Sequence, residues 1–368
     1  MPIKRNILLT PGPATTTDAV KMAQVVPDIC PREPEFCALV NGIRDDLVRW
    51  AGGTNHDHAC VLFSGSGTAG MEAMIAAAVP AGQRIAVVVN GAYGQRLADI
   101  ASTHQLNPLV IPFPVTSPAV AERIASVLDQ HPEVGAVALV HHETTTGLVN
   151  PMREVGAEVQ KRGRLFLVDA VSSFGGMPVH LVDDHVDMMV SVSNKCLQGM
   201  AGVAFALTSR DALERMRSHP RRTFYLNLVD QYDSLEATGQ FQFTAPVSAL
   251  YALRRALDEL QVEGLAERAH RYAENTRILR DGLRSLGFHL LLEGRVASNM
   301  MTSVMEPTET TWSFTALHDA LLQQGITIYP GKLSDLPTFR LATIGDLQPA
   351  DMQTVLAALR DIVPALRR

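Results

Sequence analysis

Cysteine is scarce in this chain of 368 residues: Cys30, Cys37, Cys60 and Cys196 are the only four. None stands in a C-x-x-C spacing and no histidine cluster accompanies them, so a zinc set is not expected and the thiols read as reduced. Basic charge is not in excess either. The net charge is −6, and the lysines and arginines are scattered, Pro220-Arg221-Arg222 being the densest patch in mid-chain. A basic stripe for nucleic acid is therefore missing. No apolar run reaches the length of a membrane span, and Met1-Pro-Ile-Lys-Arg-Asn6 lacks the apolar core of a signal peptide. These absences predict a cytoplasmic protein with neither a membrane nor a nucleic-acid partner. Internal repeats and low-complexity tracts are also lacking, and the proline-rich pieces Thr10-Pro-Gly-Pro13 and Pro112-Phe-Pro114 read as turns.

What is present is enough apolar residue for about two domains. Short apolar runs at 60–63, 85–89, 134–140, 165–168, 188–190 and 203–207 alternate with amphipathic stretches at 95–104, 119–130 and 152–161. That alternation predicts an α/β domain with a largely parallel sheet. After about residue 245 the pattern changes to long charged helices, 247–263 and 265–286, followed by a strand-and-helix region. The expected division is an N-terminal arm over 1–20, a large α/β domain over 21–245, and a connecting helix with a smaller α+β domain over 246–368. In such sheets a ligand lies beyond the carboxyl ends of the strands, where Ser66, the 141–147 segment and Asp169 would converge.

The segment from Cys60 through Ser64-Gly-Ser-Gly-Thr68 to Gly70 reads as strand, glycine turn and helix. Backbone N–H groups, the helix N-terminus and the hydroxyls of Ser66 and Thr68 could hold a phosphate there without a lysine. It is not a Walker loop, since no Gly-Lys-Ser/Thr follows. Nor do Gly65, Gly67 and Gly70 have dinucleotide spacing, and the next strand runs into Asn90 rather than an acid. A tight turn with a Ser/Thr cap is the plainer reading.

Lys195, in Ser191-Val-Ser-Asn-Lys195, follows a strand ending at Asp169. The lysine is a candidate for holding an aldehyde as an imine. The aspartate is a candidate for keeping a pyridine nitrogen protonated. Pyridoxal phosphate needs both groups. The histidines offer a competing reading as a metal-dependent hydrolase, because His56 and His58 flank Asp57 and His141-His142 precede Glu143. Neither set has a third ligand at a recognised spacing, so no metal site is expected.

Taken in order, Thr10-Pro-Gly-Pro13, Gly65-Ser-Gly-Thr68, Asn90-Gly-Ala-Tyr-Gly-Gln-Arg96, His142-Glu-Thr-Thr-Thr-Gly147, Val168-Asp-Ala-Val-Ser-Ser173, Ser193-Asn-Lys-Cys196 and Thr338-Phe-Arg-Leu341 resemble the landmarks of the class V, fold type I pyridoxal phosphate aminotransferases. The resemblance covers nearly the whole chain. Within the class the sequence most resembles the 2-aminoethylphosphonate:pyruvate transaminases, through Tyr93, Ser172-Ser-Phe-Gly-Gly176 and Tyr329-Pro-Gly-Lys332. Alanine- and serine:glyoxylate transaminases share the landmarks, usually with Trp where Tyr93 stands, and form the alternative.

The resemblance implies a set of roles. Lys195 would hold the cofactor and Asp169 would contact its ring nitrogen. Ser66, Gly67 and Thr68 would hold the phosphate, helped by Asn194. Tyr93 and Val171 would sandwich the ring, and Thr145 or its neighbour Thr146 would reach the ring hydroxyl. Thr244 would reach the phosphate of the other subunit, which implies a homodimer with shared active sites. Arg340 would grip the substrate anion, with Gly12, Arg32 and Lys332 as further substrate-binding candidates. Arg32 departs from several members with this activity, which carry aromatic and acidic residues in that loop. The partners implied are small molecules, an amino donor and a 2-oxo acid.

Overall fold

The computed structural model describes residues 5–333 and 336–367. Seven strands form the main sheet: β1 (His58–Gly65), β2 (Arg84–Val89), β3 (Leu109–Pro112), β4 (Val134–Val140), β5 (Leu165–Asp169), β6 (Met188–Val192) and β7 (Gly202–Ser209). Their spatial order is β1-β7-β6-β5-β4-β2-β3. Strands β3, β2, β4, β5 and β6 run parallel, and β7 runs antiparallel to both of its neighbours. Strands β4 and β5 are buried at every position, as expected of parallel strands covered by helices on both faces.

Two helices position the site. Helix α1 (Gly67–Ala78) follows β1 directly and packs Gly70, Ala73, Met74 and Ile75 inward. Helix α2 (Ala92–Thr103) follows β2 after a two-residue turn and buries Leu97, Ala98 and Ala101. Because both helices leave the carboxyl ends of their strands, their N-termini open toward the same edge of the sheet that receives Asp169.

The long helices α3 (Val247–Glu263) and α4 (Leu265–Ser285) lead to a smaller sheet. There β8 (Met301–Met305), β10 (Thr338–Ala342) and β9 (Tyr329–Pro330) lie in the order β8-β10-β9, antiparallel throughout. This region has its own apolar core, including Leu279, Leu283, Phe288, Phe339, Leu341 and Leu356. The N-terminal stretch is not merely an arm, for Ile7–Leu8 pairs in parallel with Ile326 and Thr327 and Leu9 enters that second core. No helix among the described residues is long and apolar enough to cross a membrane.

Candidate active site

Register delivers the central carboxylate. Asp169 is the last residue of β5 and stands opposite Val140 of β4 and Val190 of β6. It is 3% exposed. Its Oδ1 accepts the Val171 N–H at 2.9 Å, the one hydrogen bond to this carboxylate among the described residues. Burial pushes its pKa up to about 6, while the Val171 N–H and the charges of Lys195 and Arg96 act in the opposite direction. A carboxylate in this state lacks a cationic donor.

Lys195 lies in the turn after β6. Its ammonium donates to the Pro11 carbonyl, and Gly12 passes so close that a Cβ there would stand 2.4 Å from the lysine Nζ. With φ at +138°, Gly12 also occupies a backbone region that side chains disfavour. Burial lowers the lysine pKa, partly offset by Tyr93, Cys196 and Asp169. Asn194 anchors the same turn, its carbonyl accepting the Ala14 N–H at 3.0 Å.

Ser66 is the N-cap of α1, yet its hydroxyl makes no capping bond, and no acid occupies the first helical turn. The positive end of the helix dipole is thus left without an anion. Val171 lies against this turn, 3.0 Å from where a Gly67 Cβ would stand. Arg96, which the sequence reading did not single out, donates to the Thr68 hydroxyl at 3.5 Å and sits 4.8 Å from the centroid of the Tyr93 ring. Its three-residue spacing from Tyr93 on α2 was the available signal.

Glu143, read in the sequence only beside the histidines of a metal-site alternative, has another role. Fully buried, it accepts the backbone N–H groups of Tyr93 and Gly94 at 3.1 Å each, the Thr145 N–H at 3.0 Å and the Thr145 hydroxyl at 2.6 Å. The Thr145 hydroxyl in turn accepts the Ala92 N–H at 2.9 Å. Glu143 and Thr145 together therefore cap α2 from a distant segment. Thr146, 1% exposed, has a hydroxyl with no partner among the described residues. Both ring nitrogens of buried His142 lack partners among the described residues as well, and burial holds its pKa at about 3, so the ring is neutral.

Arg340, in β10, is 1% exposed. Its Nε donates to the Pro330 carbonyl at 2.9 Å and its Nη1 to the Thr144 carbonyl at 2.8 Å. Among the described residues no carboxylate forms an ion pair with it. Lys332, at the rim, donates to the Tyr93 hydroxyl at 3.1 Å. The Thr244 carbonyl accepts the Ser64 hydroxyl at 3.1 Å, two residues before Ser66, and Arg32 hydrogen-bonds Gln240. Thr244 and Arg32 are exposed and line a concavity with Pro31, Phe241, Gln242 and Phe243.

His56 and Asp57 hydrogen-bond each other at the surface, while the His58 ring accepts the Thr54 N–H. No group of three or more His, Cys, Asp or Glu side chains among the described residues is placed to share an ion.

The chain is 39% identical over 357 residues to the 2-aminoethylphosphonate–pyruvate transaminase of Syntrophobacter fumaroxidans, covering 96% of this chain and 95% of that protein. It is 38% identical over 367 residues to the protein of the same name from Burkholderia pseudomallei, covering 100% and 99%. Its fold superposes on the alanine–glyoxylate aminotransferase of a Nostoc species with a TM-score of 0.90 and 29% identity, covering 99% and 96%. Residues 22–351 match the aminotransferase class-V family, and the chain belongs to that family.

Proposed function

We propose that this chain is a pyridoxal-phosphate-dependent transaminase that moves the amino group of 2-aminoethylphosphonate to pyruvate, giving phosphonoacetaldehyde and L-alanine. One observation carries the reading. Arg340 is a buried guanidinium with no ion-pair partner among the described residues, in the same site as the buried Asp169 and Lys195. Buried charges are costly unless paired, so a site of this kind is built for an anion that comes and goes. The shared name of two full-length relatives supports phosphonate and pyruvate as the acids.

The residues fit pyridoxal phosphate. Asp169 has one backbone donor and a raised pKa, and a protonated pyridine nitrogen is the cationic donor it lacks. Ser66, Gly67 and Thr68 would hold the phosphate at the uncapped start of α1, helped by Arg96, which donates to the Thr68 hydroxyl, and by Asn194 beside the lysine. Tyr93 and Val171 would flank the ring, and the Thr146 hydroxyl, without a partner among the described residues, suits the ring hydroxyl better than that of Thr145, which is already bonded to Glu143 and Ala92. When bound, the cofactor supplies an electron sink that lets the carbon beside the amino nitrogen release a proton. Lys195 would hold the cofactor at rest and, once displaced, carry that proton; its lowered pKa enlarges the neutral fraction able to accept it. Asp169 would keep the ring nitrogen charged, and Arg340 would orient either acid with its planar fork.

In a homodimer with shared sites, Thr244 would reach the phosphate of a second copy. Cytoplasmic location is supported by four free thiols.

Two measurements test the reading. Borohydride reduction of the purified protein should fix the cofactor to Lys195 by mass spectrometry, and a label on another lysine would overturn the cofactor assignment. A panel of 2-aminoethylphosphonate, alanine and serine, each with pyruvate and glyoxylate, should favour 2-aminoethylphosphonate with pyruvate. If alanine or serine with glyoxylate were faster, the chain would belong to the glyoxylate branch.

A further inference from the structure

Two of the site's cations, Arg340 and Lys332, differ in kind, and one ribbon places both. Strand β9 pairs with β10 so that Tyr329 stands opposite Arg340 and Pro330 opposite Phe339. The Pro330 carbonyl holds the Arg340 Nε at 2.9 Å, and the Tyr329 ring lies 5.3 Å from its guanidinium carbon. Immediately beyond, the Gly331 N–H donates to the Thr338 carbonyl at 2.8 Å. A Cβ at Gly331 would stand 2.3 Å from the Thr338 hydroxyl and 2.4 Å from that carbonyl oxygen. Only glycine lets the ribbon lie this close to β10. The next residue, Lys332, is thereby delivered to the mouth of the site, its ammonium 3.1 Å from the Tyr93 hydroxyl and 4.4 Å from the centre of the Tyr93 ring.

Tyr93 links the two cations. Burial by itself would raise its phenol pKa, but Thr144, Lys332 and the charge of Lys195 outweigh burial and bring it below the usual tyrosine value. The same phenol acts on Arg340, offsetting part of the effect of burial on that guanidinium. Thr144 completes the connection, its carbonyl accepting Arg340 Nη1. Arg340 is buried and pinned through two of its nitrogens, whereas Lys332 is exposed and, among the described residues, hydrogen-bonds within the site to Tyr93.

This arrangement addresses a problem that the proposed reaction poses, and the argument rests on that reading. One pocket must accept a phosphonate, which carries up to two negative charges, and a carboxylate, which carries one. A cation contributes to an anion's binding in proportion to that anion's charge. Arg340, with its rigid fork, satisfies the geometry common to both acids. A second cation on a flexible stem adds to the dianion about twice what it adds to the monoanion.

We propose that Lys332, parked on the Tyr93 hydroxyl by the Gly331 ribbon, is the residue that discriminates in favour of the dianionic phosphonate, while Arg340 is the anchor both acids share. In the substrate-free site Tyr93 gives the ammonium a polar resting place. On phosphonate binding the ammonium turns from the phenol to the second charge. For a carboxylate it has less reason to move.

The test is titration calorimetry of the cofactor-loaded enzyme with two probes of equal chain length, ethylphosphonate and propionate. The wild type should bind ethylphosphonate more tightly than propionate. In Lys332→Gln the ratio of the two dissociation constants should collapse by roughly tenfold, the scale expected for one partly solvated unit charge. Lys332→Arg should keep most of the preference. Tyr93→Phe, which removes the resting place and leaves the ammonium, should change the ratio less than Lys332→Gln does. A wild type that prefers ethylphosphonate and a Lys332→Gln variant that retains the same ratio would overturn the assignment to Lys332 and leave the phosphonate reading standing. A wild type without any preference would overturn both.

Discussion

The Thr145 hydroxyl donates to Glu143 at 2.6 Å while accepting the Ala92 N–H at 2.9 Å, so this side chain belongs to the start of helix α2. Its neighbour Thr146, equally buried, has a hydroxyl that nothing in the described protein engages. The two substitutions should therefore separate. Thr145→Val leaves buried donors and an acceptor unpaired, and the cofactor-free protein should lose about 1–3 kcal/mol of stability in denaturant unfolding. Thr146→Val should barely move that midpoint, but should shift the absorption band of the bound cofactor and weaken its retention on dialysis. Equal spectral effects from both variants would mean that the ring hydroxyl is reached from elsewhere.

Glu143 accepts four hydrogen bonds, two from the N–H groups of Tyr93 and Gly94 at the same helix start and two from Thr145. Glu143→Gln keeps its shape but turns one acceptor oxygen into an NH2 group facing N–H donors. A loss of about 1.5–3 kcal/mol in the cofactor-free protein is expected, the range for hydrogen bonds to a charged group. Because Thr145 and Glu143 act on one another, the double variant should cost less than the sum of the singles. Strict additivity in the unfolding midpoints would show that the two do not form one cap.

These caps also mark where the sequence stops being legible. The hydrophobic period placed a helix at 95–104, whereas α2 starts at Ala92. Its first turn is stabilised by an acid some fifty positions away, which no local pattern reports. The runs at 134–140 and 165–168 were readable because strands buried on both faces must be continuously apolar. The edge strand β3, alternating between buried and exposed positions and containing a proline, gave no such signal. Ile7–Leu8 was read as part of an arm because its strand partner, Ile326–Thr327, lies at the far end of the chain. In the site, Lys195 and Asp169 stood out because the chemistry needs their residue types. The choice between Thr145 and Thr146 is a matter of contact alone, since the two residues are chemically identical.

Asp169 gives a pH prediction for the cofactor-free protein. Its pKa is raised by burial to about 6, against roughly 3.9 for an unperturbed aspartate. Between these values the folded state binds more protons than the unfolded state. The contribution of this group to stability is therefore fully present below about pH 4 and is lost as pH rises through about 6. Two units correspond to about 3 kcal/mol. Asp169→Asn removes the titration, so the cofactor-free variant should unfold at a higher temperature than wild type at pH 8 and show little such advantage at pH 4. Cofactor should stabilise wild type more than the variant, because only the carboxylate can pair with a charged ring nitrogen. Parallel stability curves for the two proteins across this range would show that Asp169 is not the titrating group.

Arg340→Lys keeps a positive charge at the proposed anchor and discards the fork. The guanidinium is oriented by the Pro330 and Thr144 carbonyls, and an ammonium can neither span both nor present two parallel donors to an acid. Both half-reactions should therefore lose kcat/KM, each by roughly 10- to 100-fold, the scale of a lost charge-assisted hydrogen bond. Stopped-flow spectra of the loaded enzyme, first with 2-aminoethylphosphonate and then with pyruvate on the aminated form, resolve the two. Because the shared anchor acts on phosphonate and carboxylate alike, the losses should be similar, in contrast to the uneven effect expected at Lys332. If the pyruvate half-reaction survived unchanged while the phosphonate one collapsed, the carboxylate would have another anchor and Arg340 would serve the phosphonate alone.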